Sequence, residues 1–263
     1  MNPTSVFPLD TLFDLTDRVA LVTGAANGIG QLACKVLAQA GAHIVATDLD
    51  ITALAELVAS LHEAGLSAES MPMDVSDEAG VCACFQDVGQ RLGRLDILLN
   101  CAGTAQRTPS IDTPLEVWNR VLNVNLTGTF LCCREAARIM QHQDGGSIIN
   151  LSSIMGHSGG GLYPNPSYHA SKGGIVNLTR ALAAEWGGLN IRVNDIAPTF
   201  VNTRFAAKVI NDPVLRPAIE QQTPLGRIAE VEDLAGAILY LASPASGMVT
   251  GHSLAVDGGF LAR

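Results

Sequence analysis

Two rhythms of apolar and polar positions alternate along this chain. Short apolar runs of strand length occur at residues 18–24 (RVALVTG), 42–48 (AHIVATD), 67–74, 95–103 (LDILLNCAG), 146–153 (GSIINLSS), 191–198 (IRVNDIAP) and 252–259. Between them, apolar residues recur every three or four positions, the spacing of one helix face. These stretches predict helices over 29–41, 51–65, 77–92, 115–141, 167–186 and 230–242. Gly41 ends the first of them, the usual place for a helix stop. Strand runs that are apolar at nearly every position need cover on both faces, and strand–helix alternation supplies it. The pattern predicts an α/β protein: one doubly wound parallel sheet of about seven strands with right-handed crossovers.

One segment breaks the rhythm. Residues 199–228 carry Pro213, Pro217 and Pro224 between a strand and the last helix. Excursions of this length commonly form lids or binding loops, so this one is assigned as a substrate-binding loop. No linker, low-complexity tract or repeat marks a second unit, and residues 1–263 read as a single domain. Hydrophobic residues make up 48% of the chain, enough for a large core.

Charge and cysteines narrow the class. A formal net charge of −9 without a Lys/Arg cluster argues against nucleic acid as a partner. No run approaches the ~18 apolar residues of a membrane helix. The N-terminus lacks the basic start and apolar core of a signal peptide. Six cysteines, none in a C-x-x-C pair and none at zinc-ligand spacing from a histidine, suit free thiols in a reducing cytoplasm. No metal site is expected.

The first strand runs into TGAANGIG (23–30) and then into a helix. Gly24, Gly28 and Gly30, with Asn27 and Ile29 among them, put bare backbone and a helix N-terminus where a pyrophosphate binds. Asp48 closes the second strand. A carboxylate there accepts hydrogen bonds from adenosine ribose hydroxyls and repels a 2′-phosphate. No Lys or Arg lies in the turn or just after Asp48, so the expected cofactor is NAD rather than NADP.

These motifs, with others downstream, resemble the short-chain dehydrogenase/reductase family along nearly the whole chain. TGAANGIG is similar to the family's T-G-x-x-x-G-x-G turn. Asp74 and Val75 match its acidic–apolar pair at adenine. NCAG (100–103) stands where the family has N-N-A-G, which assigns Asn100, Ala102 and Gly103 to the cofactor and leaves Cys101 in place of an asparagine. VNL supplies Asn125, LSS supplies Ser153, and YHASK supplies Tyr168 and Lys172. APTFVNT (197–203) is similar to P-G-x-x-x-T, retaining Pro198 and Thr203, with Thr199 for the glycine. The resemblance implies a Rossmann fold and an NAD-linked oxidoreductase. It also implies a homotetramer that packs through helices 115–141 and 167–186 and through the last helix and strand.

Tyr168 and Lys172 lie four apart and so share a helix face, which puts both toward the strand ends where such sheets bind ligands. A free phenol has a pKa near ~10, too high for a base at neutral pH. A neighbouring ammonium favours the phenolate, and Lys172 is expected to lower Tyr168 in this way. Tyr168 then exchanges a proton with an alcohol or ketone as hydride moves, while Lys172 also holds the nicotinamide ribose. Ser153 ends the preceding strand and orients the substrate oxygen. The resemblance gives Asn125, inside the long helix, a water that links Lys172 to solvent. The loop between Ser153 and Tyr168 is longer than the family's common spacing and glycine-rich, and it forms a substrate wall.

The C-terminal AVDGGFLAR and the general layout look similar to family members that oxidise sugars, polyols and sugar acids. A 3-oxoacyl thioester reductase or a hydroxysteroid-type dehydrogenase is the alternative. A nucleotide-binding protein without catalysis is the rival from another class, and the presence of Asn125, Ser153, Tyr168 and Lys172 speaks against it. Arg107, His157 and Arg204 are candidates to meet a polar or anionic substrate, although each taken alone reads first as a solvated loop residue. His169 faces elsewhere on its helix, and Tyr163 reads as a pocket or surface aromatic.

Overall fold

Each of the seven apolar runs forms a strand in the computed structural model, which describes residues 9–160 and 162–263. A single turn, α1 (Leu9–Leu12), precedes β1 (Val19–Thr23), α2 (Gly28–Gln39), β2 (His43–Asp48), α3 (Ile51–Glu63), β3 (Ala68–Pro72) and α4 (Glu78–Leu92). Then follow β4 (Ile97–Asn100), α5 (Leu115–Leu122), α6 (Gly128–Met140), β5 (Gly146–Leu151) and α7 (Pro166–Trp186). The chain closes with β6 (Ile191–Pro198), α8 (Ala207–Ile210), α9 (Leu215–Gln222), α10 (Ala235–Ala242) and β7 (Ser253–Val256).

The strands form one parallel sheet in the order β3-β2-β1-β4-β5-β6-β7. The order reverses between β1 and β4, so the crossovers on either side leave in opposite directions and open a crevice at the strand ends. Thr23 pairs with both Thr47 and Asn100 at that edge.

Side chains alternate across the sheet, as a two-residue period requires. Val22, Ile44, Leu99 and Ile196 face α2, α3 and α10, while Leu21, Val45, Leu98 and Val193 face α4, α6 and α7. All are buried. Shortening one of them, such as Leu98→Ala, costs about 2–5 kcal/mol.

Two regions differ from the sequence reading. The predicted helix 115–141 is interrupted: residues Asn123–Thr127 form a π turn between α5 and α6. Its wider winding turns Asn125 fully inward, and such single-turn insertions gather at functional sites. Nothing in the apolar spacing marks it. The excursion 199–228 contains the short helices α8 and α9. Val209, Ile210, Ile219 and Ile228 of this excursion bury against Ile154 and Met155 from the loop after β5. It is therefore a seated cover over the strand ends.

Candidate active site

A cleft of about 720 Å³ opens at the strand ends, within the usual range for cofactor and small-molecule sites. Its floor at one end is backbone. Gly24 has φ +66°, and a Cβ there would lie 2.7 Å from the Ala102 nitrogen. The Thr23 hydroxyl oxygen accepts from the N–H groups of Cys101 and Ala102, both at 3.2 Å, and ties β1 to the NCAG segment. A Cβ on Gly30 would overlap the Gly24 carbonyl, so only glycine lets α2 start this close to β1.

The Asn27 side chain makes no capping hydrogen bond, and α2 has no acidic residue in its first turn. The positive end of this helix, at Gly28 and Ile29, therefore faces the cleft uncapped. Asp48 lines the same end. Its carboxylate accepts from Ala26 N–H at 3.1 Å, Leu49 N–H at 2.7 Å and Asp50 N–H at 3.1 Å, which fix its position. Asp74 and Val75 form the opposite wall. This cradle of glycines, an uncapped helix and a fixed carboxylate fits a dinucleotide.

Ala102, Gly103, Pro198 and Thr203 line the cleft as well. Asn100 does not. Its amide is buried beneath the floor and donates to Asn150 Oδ1 at 2.9 Å and to Cys133 Sγ at 3.3 Å. The cross-strand pairing of Asn100 with Asn150 directs the side chain into the sheet. Cys101 lines the cleft as a protonated thiol, pushed up to about 12 by burial.

The reacting end is made of side chains. Ser153, from the turn after β5, meets Tyr168 and Lys172 on the first turns of α7. The Ser153 hydroxyl lies close enough to the Tyr168 phenol to favour its ionised form, and it accepts from Met155 N–H at 3.1 Å. Lys172 Nζ lies 5.5 Å from the centre of the Tyr168 ring and donates to the Leu151 carbonyl at 2.6 Å. The expected lowering of the phenol by Lys172 is not what this geometry gives. Burial pushes Tyr168 up to about 12, against the opposing effects of Ser153 and the Arg107 charge. Burial also pulls Lys172 down to about 8. Both groups share one dry pocket, and the ammonium is spent on a carbonyl, so desolvation of each outweighs their mutual attraction.

Asn125 stands behind this end and does not line the cleft. Its amide donates to the Thr104 carbonyl at 2.9 Å and Ser171 Oγ at 3.0 Å, and its oxygen accepts from Thr104 N–H at 2.7 Å. It thus pins the strand-end segment 103–104 against α7. His157 is also outside the cleft; it is exposed, with Nε2 2.8 Å from Ser253 Oγ. His169 bonds the Asn165 carbonyl through Nδ1 at 2.7 Å, away from the reacting face. Arg107, Tyr163 and Arg204 do line the cleft.

Sequence reasoning missed Asp195. This fully buried carboxylate sits on β6 and accepts from Ser152 Oγ and, at 2.6 Å, from Ser253 Oγ. Burial raises its pKa, and its charge raises that of Lys172. It anchors the serine beside Ser153. A carboxylate inside the apolar run IRVNDIAP was the available signal. Asn165 was missed too; it lines the cleft, 4% exposed, with its Oδ1 unpartnered.

Comparison with known proteins places this architecture. Residues 24–261 match the family described as enoyl-(acyl carrier protein) reductase, a branch of the short-chain dehydrogenases. The D-threitol dehydrogenase of Mycolicibacterium smegmatis is 38% identical over 99% of this chain and 99% of its own. The 5-keto-D-gluconate 5-reductase of Escherichia coli is 34% identical over 96% of this chain and 99% of its own. A gluconate 5-dehydrogenase from Burkholderia cenocepacia, solved in complex with NADP and tartrate, superposes with a TM-score of 0.93 at 33% identity, covering 97% of this chain and 99% of that one. The sheet order, the glycine turn and these full-length matches agree: the chain belongs to the short-chain dehydrogenase/reductase family and is an oxidoreductase of alcohol and ketone groups that uses a nicotinamide cofactor.

Proposed function

We propose that this protein is an NAD-dependent dehydrogenase that interconverts a secondary hydroxyl and a ketone on a sugar, polyol or sugar acid. The observation that carries the reading is the meeting of Ser153, Tyr168 and Lys172 at one end of a cleft whose other end presents Asp48 and the uncapped start of α2. The sugar and polyol class is supported by the threitol and gluconate relatives.

The bound cofactor supplies the hydride acceptor for oxidation and the hydride donor for reduction. The residues of this chain handle the proton and the geometry. Ser153 Oγ holds the substrate oxygen beside Tyr168 Oη. In the form of the Tyr168–Lys172 pair that has lost one proton, Tyr168 is the phenolate; it takes the hydroxyl proton as the carbon loses hydride, and returns it in the reverse direction. Lys172, protonated, offsets the charge of the phenolate at that moment and binds the nicotinamide ribose. Asn125 keeps segment 103–104 in place and links Lys172 to solvent through water. Gly24, Asn27, Gly28, Ile29 and Gly30 hold the pyrophosphate, Asp74 and Val75 hold the adenine, and Asn100 supports the floor. Ala102, Gly103, Pro198 and Thr203 hold the nicotinamide half.

The choice of NAD rests on Asp48, which a 2′-phosphate would approach at close range without a neighbouring cation to offset it. The B. cenocepacia enzyme binds NADP, so a direct comparison is the test. Initial rates with NAD and NADP on a panel of polyols and sugar acids are expected to favour NAD by tenfold or more in kcat/KM, on the order of one charged contact. Equal or higher efficiency with NADP overturns the NAD reading. Residues 1–263 work as one domain, with 199–228 as the cover over the substrate. The enzyme acts on a small molecule in the cytoplasm as a homotetramer, without nucleic-acid or membrane partners. Among the described residues no helix is long and apolar enough to cross a membrane.

A further inference from the structure

The charges of the cleft are sorted by end. Asp48 and Asp74 are the carboxylates that line it, and both belong to the nucleotide end. Arg107, Arg120 and Arg204 line the cleft as well, Arg107 against Tyr163 and Arg204 next to Phe205, which packs near Tyr168. The chain as a whole has 25 acidic residues against 16 basic ones. Seven of its other arginines form ion pairs with carboxylates. Among the described residues the three cleft arginines form no ion pair.

Arg107 is the sharpest case. Its Nε is shielded from solvent and has no hydrogen-bond partner among the described residues. Its guanidinium carbon lies 5.2 Å from the centre of the Tyr163 ring. Tyr163 packs in one apolar cluster with Tyr168 and Phe200, which puts Arg107 on the reacting side of the cleft. A sequestered guanidinium donor without an acceptor is costly until something fills the gap. Arg120 also lines the cleft and donates to Gln106 Oε1 at 3.4 Å. Arg204 precedes Phe205, whose ring is 6.1 Å from that of Tyr168. Asn165 adds an unpartnered acceptor suited to a substrate hydroxyl.

We infer that Arg107 anchors a carboxylate of the substrate, so that the enzyme acts on a polyhydroxy acid in preference to a neutral polyol. The inference rests on reading the cleft as a dehydrogenase site and chooses within its substrate class. The planar fork of Arg107 matches a carboxylate in two-pronged fashion, with Tyr163 stacked behind it. Arg120 and Arg204 attract the anion at the mouth. The acid group then sits at one end of the substrate and the reacting hydroxyl at Ser153 and Tyr168.

The test uses two ligands with the same four-carbon skeleton, tartrate and threitol. Each is titrated calorimetrically onto the protein saturated with the reduced nicotinamide nucleotide it binds, where no turnover occurs. Tartrate is expected to bind about 10- to 100-fold more tightly, the scale of a charge-assisted contact. Arg107→Met should bring the affinity ratio close to one, and Arg107→Lys should leave it in between. Thermal melting with nucleotide checks that the variants fold. Should Arg107→Met not fold, Arg107→Lys decides, because an unchanged ratio there contradicts a two-pronged contact. Threitol binding as tightly as tartrate overturns the inference. So does a ratio that survives Arg107→Met, which would make the guanidinium a packing partner of Tyr163. Absence of turnover on every alcohol would overturn the dehydrogenase reading instead and leave the tartrate result standing.

Discussion

The two ends of the cleft are made of different material. At the nucleotide end the walls are backbone: the β1–α2 turn, the open N-terminus of α2, and N–H groups that fix Asp48. At the reacting end the walls are side chains delivered by α7, the turn after β5, segment 104–107 and the cover over the strand ends. A backbone site recognises what every dinucleotide shares and tolerates little change in residue type. A side-chain site recognises what differs between substrates and can be rebuilt without moving the sheet.

Four variations put pressure on that contrast. The largest effect is expected for Lys172→Met, since Lys172 is the ammonium that joins the two ends. Turnover should fall by about 10²–10⁴-fold, measured by single-turnover hydride transfer, with weaker nucleotide binding alongside. A loss below tenfold would break the assignment. Next comes Asp48→Asn. It should raise the KM for NAD by about 10- to 100-fold and narrow the gap to NADP. If nucleotide choice does not change, backbone alone sets it.

The third is pH. Lys172 is pulled down to about 8 by burial, so the Tyr168–Lys172 pair loses its first proton near that pH. Oxidation needs a proton acceptor and should rise through about pH 8, whereas reduction needs the proton and should fall through it. A flat profile from about pH 7 to 9 contradicts this. The smallest effect is expected for Asp195→Asn. It removes a negative charge that raises Lys172, so the same limb should move to lower pH, by less than about one unit. A shift upward would mean that Asp195 acts only through its bonds to Ser152 and Ser253.

The contrast also explains what could be read from the residues alone. The strand–helix order was legible because continuous apolar runs of strand length and the 3.6-residue helical period are both written in apolar side chains. The glycine turn was legible because backbone sites demand particular residues at fixed spacing. Ser153, Tyr168 and Lys172 were legible through their motifs, and the cleft brings them together. The position of Asn125 was legible but its setting was not, because a π turn leaves no mark on apolar spacing. His157 is the solvated loop residue that its position suggested, though nothing local reveals its bond to Ser253 on β7, an element far along the chain. Asn100 was placed at the cofactor by its motif, yet its side chain is claimed by Asn150 and Cys133 across the sheet. The phenol was expected low because the pair was considered without the burial it shares.

The most direct test of the account is Tyr168→Phe, with nucleotide affinity and turnover measured on the same preparation. The ring still packs near Phe205, and only the proton-bearing oxygen is lost. The account predicts unchanged nucleotide affinity and a fall in turnover of about 10²–10⁴-fold in both directions. Turnover within tenfold of the unmodified enzyme would contradict it, because the proton would then move through another group.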